Sequence, residues 1–139
     1  MREIKFRGKR ADIGWKYGCL TIIEKAHEDN LIAIKPFDEE YITYGVKPDS
    51  VGEYTGLKDK NCIEIYEGDI VKVHSDGRYK HELHQFTVEW DNNSLSFEPL
   101  AIMLSRRRIE ERLNNATTEF EVIGNIYENP ELLEAQDEQ

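Results

Sequence analysis

Apolar and polar residues alternate along most of this chain with a period of two, the spacing that gives a β-strand two unlike faces. The most organised block is residues 51–73, VGEYTGLKDKNCIEIYEGDIVKV, which reads as strand, turn, strand, second turn, strand. Its first strand ends at Thr55 and Gly56. Lys58, Asp59, Lys60 and Asn61 form a polar turn, because Asp and Asn side chains bond nearby backbone and tolerate left-handed angles. Cys62, Glu64 and Tyr66 then alternate with Ile63 and Ile65. At the next corner Gly68 can take the positive φ that a β-carbon resists, and the Asp69 carboxylate can fold back onto backbone amides. Ile70, Val71 and Val73 resume a β-branched strand. Glu67 and Asp69 read as corner chemistry. Gly56, Asp59, Asn61, Gly68, Asp69 and, further on, Gly124 are the expected turn, corner or close-approach positions.

The same pattern predicts a strand at Ile4–Arg7 (IKFR) and a longer one over residues 15–23, in which Gly18 marks a bulge or a close approach. Residues 31–35 make a third strand, stopped by Pro36, and a short one covers residues 41–46. Trp15, Tyr17, Tyr41 and Tyr44, interleaved with Lys16 and Lys47, either face a core or line a groove of the kind that stacks single-stranded nucleic acid. After a polar loop over residues 74–85, Phe86, Val88 and Trp90 alternate on one face, and Leu95 to Phe97 return as a hairpin partner. This order of strands suits a small SH3-like barrel. The fold class expected is therefore mainly β, a β-rich α+β fold: an SH3-like barrel in the second half, packed with a β-rich N-terminal lobe and one amphipathic helix. We expect one domain over residues 1–139, with sub-lobes at 1–50 and 51–133 and an acidic, fraying tail at 134–139.

The helix is expected over residues 99–114. Pro99 suits a first helical turn, and Leu100, Ile102, Met103, Ile109 and Leu113 supply an apolar stripe. Arg106, Arg107, Arg108 and Arg112 form its basic side, ready for phosphate, for a neighbour's acidic tail or for water. Residues 120–127 make a final strand, followed by a short helix or turn capped by Asn129.

Charge changes this picture. The chain of 139 residues has a formal net charge of −10, with 33% charged and 39% hydrophobic residues. That balance argues against broad binding to phosphate backbones and to anionic membranes. The sign is uneven: residues 1–10 hold five basic side chains against one acidic, and residues 119–139 hold seven acidic and no basic ones. There is no apolar run of the roughly 20 residues a membrane span needs and no apolar leader. A cytoplasmic location is expected, where Cys19 and Cys62 stay reduced, and both read as packed strand residues. His27, His74, His81 and His84 are too scattered for a closed metal site, so no metal or cofactor is expected.

The motifs TGLKDKN…EIYEGDIV and FEVIGNIYENPELL, with the opening MREIKFRG, resemble the YopX family of phage and prophage proteins. The likeness spans most of the chain. It implies a phage-type origin and a β-rich fold containing an SH3-like barrel, and it brings no activity or site residues with it. One departure lies in the first turn, where the family usually has Gly and then Lys after Asn61; here Cys62 and Ile63 stand there. An Asn-Gly pair suits a two-residue hairpin turn with positive φ at both positions, so Cys62 implies a loop that bends differently or a shifted register.

Three functions follow from these readings. One is a non-enzymatic interaction module with an unknown protein partner from host or phage, or a homo-oligomer. Another is a nucleic-acid-binding protein using Arg106–Arg108 and the basic N-terminus, with Trp15 and Tyr17 as further contact residues. The third is a small-molecule enzyme using carboxylates such as Glu67, Asp69 and Glu89. The chain shows no phosphate loop, nucleophile elbow or metal-ligand cluster to favour the last.

Overall fold

A computed structural model describes residues 3–75, 85–104 and 118–133. Among the described residues, alternating β-formers give eleven strands: β1 (Phe6–Arg10), β2 (Gly14–Ile23), β3 (Leu31–Pro36), β4 (Tyr44–Gly45), β5 (Gly52–Lys58), β6 (Glu64–Tyr66), β7 (Asp69–Ser75), β8 (Gln85–Thr87), β9 (Glu89–Asp91), β10 (Ser96–Glu98) and β11 (Thr118–Asn125). The chain divides into two compact units, Met1–Gly56 and Leu57–Gln139, and β5 runs from one into the other.

In the first unit the strands are antiparallel, in the order β4-β3-β2-β1-β5. Close approach sets the geometry of this sheet. Gly18 stands between Phe6 of β1 and Pro36 of β3, and a β-carbon there would lie 2.1 Å from the Lys35 carbonyl oxygen. The buried apolar residues of this unit are Ala33, Ile34, Val46 and Tyr54. A 3-10 turn, Pro48–Ser50, is tied to β1 by a hydrogen bond from the Lys9 amide to the Ser50 hydroxyl at 2.8 Å.

The second unit holds the three-stranded sheet β11-β7-β8 and the two-stranded ribbon β10-β9. Its core joins Ile65, Val71, Val73, Phe86, Val88, Phe97, Leu100, Met103 and Phe120, with Leu104 and Val122 packed against it. Phe86 and Phe120 meet edge to face at 6.0 Å, an arrangement aromatic quadrupoles favour. Burying residues of this size stabilises by about 1.5–3 kcal/mol each, so this cluster is the main source of cohesion in the unit.

The protein is mainly β, built of open antiparallel sheets. The described sheets do not close on themselves. One departure from the expected strands lies at Val88. Its amide donates to the Asp69 carbonyl at 2.9 Å and its carbonyl accepts from Gly68 at 2.8 Å, so the expected single strand over residues 86–90 breaks into β8 and β9. Trp90 consequently does not share the buried face of Phe86 and Val88; it is exposed and sets its ring against Phe97 at 5.1 Å. Residues 100–104 are helical. Leu100 and Met103 point inward while Ile102 is exposed, so the apolar stripe is narrower than the sequence implied. The remainder of the expected helix, with Arg106, Arg107, Arg108 and Arg112, lies outside the described residues.

Candidate functional site

The side chains that dominate the central motif are occupied by backbone. Asp59 is only 7% exposed. Its Oδ1 accepts the amides of Asn61 at 2.8 Å and Ile63 at 2.9 Å, and its Oδ2 accepts the amide of Val122 at 2.9 Å. One carboxylate thus closes the turn between β5 and β6 and clasps it to β11. The backbone repeats the link, since the Lys60 amide donates to the Phe120 carbonyl at 2.9 Å. Asp69, buried at the next corner, accepts the Tyr66 amide at 2.8 Å. Gly68 beside it has φ +91°, and a β-carbon there would approach Tyr127 to 3.0 Å. Gly56 also has positive φ.

The third motif works in the same way. The register of β11 against β7 shifts between Val122 and Gly124. The Asn125 side-chain oxygen accepts the amides of Tyr127 at 3.0 Å and Glu128 at 2.9 Å, and that of Asn129 accepts the Asn125 amide at 3.2 Å. A β-carbon on Gly124 would sit 2.6 Å from the same Asn129 oxygen. Of the carboxylates weighed for chemistry, Asp69 is buried whereas Glu89 is exposed. Among the described residues no group of three His, Cys, Asp or Glu could hold a metal ion.

The two cysteines are not packed strand residues as the sequence suggested; both are exposed. Cys19 lies on β2, whereas Cys62 turns the corner with φ +64°. It occupies in left-handed geometry the place where the resemblance led one to expect Gly.

The candidate groove of aromatic residues is split by strand alternation. Trp15 and Tyr17 share one face of β2, opposite Lys9 and Arg7 of β1 respectively. The Arg7 guanidinium lies 4.6 Å from the Trp15 ring centroid, and Lys5 Nζ lies 5.2 Å from that of Tyr54. Tyr17 is 44% exposed. Lys16 points to the other face, with its Nζ 4.4 Å from the Tyr44 ring. A hydrogen bond to Glu39, reinforced by desolvation and nearby carboxylates, raises the Tyr44 hydroxyl pKa. Tyr41 stands almost fully in solvent. A cleft of about 700 Å³ beside β4 is lined by Arg10, Ala11, Asp12, Leu31, Thr43, Gly45, Val46 and Lys47. Arg10 there already pairs with Asp12 at 2.9 Å.

Sequence reasoning missed a polar cluster on the second unit. His74 Nε2 and Glu121 Oε2 are 2.7 Å apart, and Lys60 Nζ is 3.7 Å from the same oxygen. The His74 hydrogen bond, helped by Lys60, holds the Glu121 carboxyl below its usual range. The β7–β11 register brings His74 to Glu121 and the bond from the Lys60 amide to the Phe120 carbonyl brings Lys60, and no local motif signals either. A small hollow of about 210 Å³ lies nearby, lined by Lys58, Asp59, Lys60, Glu119 and Phe120.

The motif residues therefore recur at the three places where the second unit's turns are locked. A family model described as YopX protein matches residues 5–134. The chain belongs to the YopX family. No curated protein matches it. Among solved structures, it is similar to the crystal structure of protein EF1440 from Enterococcus faecalis, with 24% identity over 96% of this chain and 99% of that one, at a TM-score of 0.48. For this YopX family member, no helix among the described residues is long and apolar enough to cross a membrane.

Proposed function

We propose that this YopX family member is a non-enzymatic interaction module, an accessory protein of a phage or prophage that acts in the host cytoplasm by holding another protein chain. The observation that carries this reading is the segment after β3. Phe37, Tyr41 and Ile42 are all exposed there, separated only by Asp38, Glu39 and Glu40. Apolar side chains grouped in solvent cost free energy and mark contact surfaces; the intervening carboxylates keep such a segment soluble and favour a partner with basic residues around an apolar pocket. The occupation of both Asp59 oxygens and of Asp69 Oδ2 by backbone amides supports the same reading. The test is retention of a host or phage protein by the immobilised chain. A specific protein retained by wild type and lost with Phe37→Ser, Tyr41→Ser and Ile42→Ser together is expected. Retention unaffected by the triple substitution, or no retention from infected or lysogenic cells, overturns the reading.

A second reading rests on the face shared by Lys5, Lys9, Trp15 and Tyr17, with the buried Arg7 beside the Trp15 ring. Cations beside aromatic rings are the elements of a single-stranded nucleic-acid platform, despite the acidity of the whole chain. It requires binding of a labelled single-stranded oligonucleotide that weakens steeply with salt and falls with Trp15→Ala and Tyr17→Ala. Absence of binding at low salt removes it.

A further inference from the structure

The strand registers leave one stretch of edge open. β2 extends to Ile23, yet β1 pairs with it only up to Gly18, through Phe6. Before Phe6 the chain stays in register with β5, where the Lys5 carbonyl accepts the Tyr54 amide at 2.8 Å. β3 follows β2 on the other side all the way to Ile23. Residues 19–23, CLTII, therefore have a strand along one side and, among the described residues, none along the other.

Alternation tells which backbone groups face that open side. Successive residues of an antiparallel strand send their N–H and C=O to opposite neighbours. The Ile32 carbonyl accepts the Val46 amide at 3.0 Å, so Ile32 bonds away from β2. Its cross-strand neighbour Ile22 then bonds away from β3, as do Leu20 and Gly18, two and four residues earlier. Pro36, opposite Gly18, has no N–H to give and agrees with this parity. The outward groups of Gly18 meet β1. Among the described residues, those of Leu20 and Ile22 form an unfilled ladder, flanked by side chains that are 36% exposed at Leu20, 57% at Ile22 and 39% at Ile23.

We propose that this edge is a homodimerisation site, at which a second copy lays its own residues 19–23 antiparallel, about a two-fold axis through Thr21. The inference goes beyond the interaction-module reading above, since it stands on a strand edge and not on the segment of Phe37, Tyr41 and Ile42. A two-fold axis makes a strand edge self-complementary. In this register Leu20 lies opposite Ile22 of the second copy, both with outward peptide groups, and the reciprocal pair repeats it. Four hydrogen bonds form without disturbing β3. Leu20 and Ile22 cover each other on one face, and Cys19 and Ile23 on the other. Open edges in soluble proteins are normally guarded by a charge, a proline or a bulge. Residues 19–23 hold neither charge nor proline, so no ionic group here selects a foreign peptide or repels an identical one.

Sedimentation velocity over a wide concentration range tests this directly. Wild type is expected as a species of twice the 16.3 kDa chain mass. Ile22→Pro removes an outward N–H while sparing the β3 ladder, and should raise the dimer dissociation constant by about tenfold or more. Ile63→Glu, exposed on the second unit, should leave it unchanged. If circular dichroism shows that Ile22→Pro does not fold, Ile22→Glu takes its place. The register has its own test: with Cys19 and Cys62 replaced by Ser, Thr21→Cys should cross-link two chains on mild oxidation, since directly opposed residues in a non-hydrogen-bonded pair are about 4.5 Å apart at Cα, while Ile13→Cys should not. A chain monomeric at all concentrations, a dimer indifferent to folded Ile22 variants, or failure of Thr21→Cys to cross-link overturns the proposal. A monomer that still retains a foreign protein overturns the dimer alone and leaves the interaction-module reading standing.

Discussion

Replacing Asp59 by alanine should loosen the second unit more than any other single surface-turn substitution. The carboxylate accepts three backbone amides, two in its own turn and one on β11. A hydrogen bond to a charged acceptor contributes about 1.5–3 kcal/mol net. The amides of Asn61 and Ile63 belong to exposed residues and can turn to water, so their loss is partly recovered. The Val122 amide lies within a strand and recovers less. The expected cost of Asp59→Ala is about 2–4 kcal/mol, a large part of the roughly 5–15 kcal/mol that holds a domain folded. Asp59→Asn, which keeps one acceptor oxygen and loses the charge, should cost about half as much. Urea denaturation measures the total, with exposed Asp29→Ala as a reference. Amide exchange locates it, because Val122 should exchange faster while amides of the β2–β3 pair keep their rates. A cost under about 1 kcal/mol, or Val122 exchange at the wild-type rate, would refute the view that this carboxylate clasps the turn to β11.

Three other outcomes are expected. Cys62→Gly relieves a left-handed residue (φ +64°) whose side chain is exposed, and should stabilise by about 0.5–1 kcal/mol after the added freedom of the unfolded chain is counted; a lower urea midpoint would contradict it. Gly18→Ala forces a methyl to within 2.1 Å of the Lys35 carbonyl oxygen, so β2 and β3 must part, at a cost of about 3 kcal/mol or more, read as lost cooperativity or insolubility. Glu121 has a depressed carboxyl pKa, chiefly through its hydrogen bond to His74. A depressed folded pKa contributes stability at pH above the ordinary glutamate range that is lost as pH falls through the folded value. His74→Ala should therefore shift the Glu121 carbon-13 titration upward and flatten the acid side of the stability profile; an unmoved titration would exclude the contact.

Strands were legible in the sequence because period-two alternation is a local property. β2, β3 and β7 appear within a few residues of where the pattern puts them. What escaped was non-local. The alternation of Phe86, Val88 and Trp90 promised one strand, and only the pairing of Val88 with Gly68 and Asp69 breaks it. The same distinction holds for side chains. Asp59 and Asp69 advertise turn chemistry by residue type, yet the Val122 amide that completes Asp59 is 63 positions away. Trp15 and Tyr17 were visible as aromatics. That Lys16 lies on the opposite face follows from parity and could have been deduced, whereas the side of Tyr44 and the opposition of Arg7 to Tyr17 needed the strand registers. The His74–Glu121 contact depends on the β7–β11 register and left no mark in the sequence.

The position of β11 has a consequence for how the chain becomes stable. It pairs along β7, brings Phe120 into the core and supplies the amide that fills the last acceptor site of Asp59. During synthesis, then, the middle of the chain waits with a bare β7 flank and an incomplete apolar cluster until a segment near the far end arrives. Closing such a distant pairing is slow, and meanwhile the nascent unit is exposed to wrong neighbours. Production of shortened forms that stop before residue 118 should accordingly yield aggregates, and a β11 peptide added in trans should be the agent that rescues them.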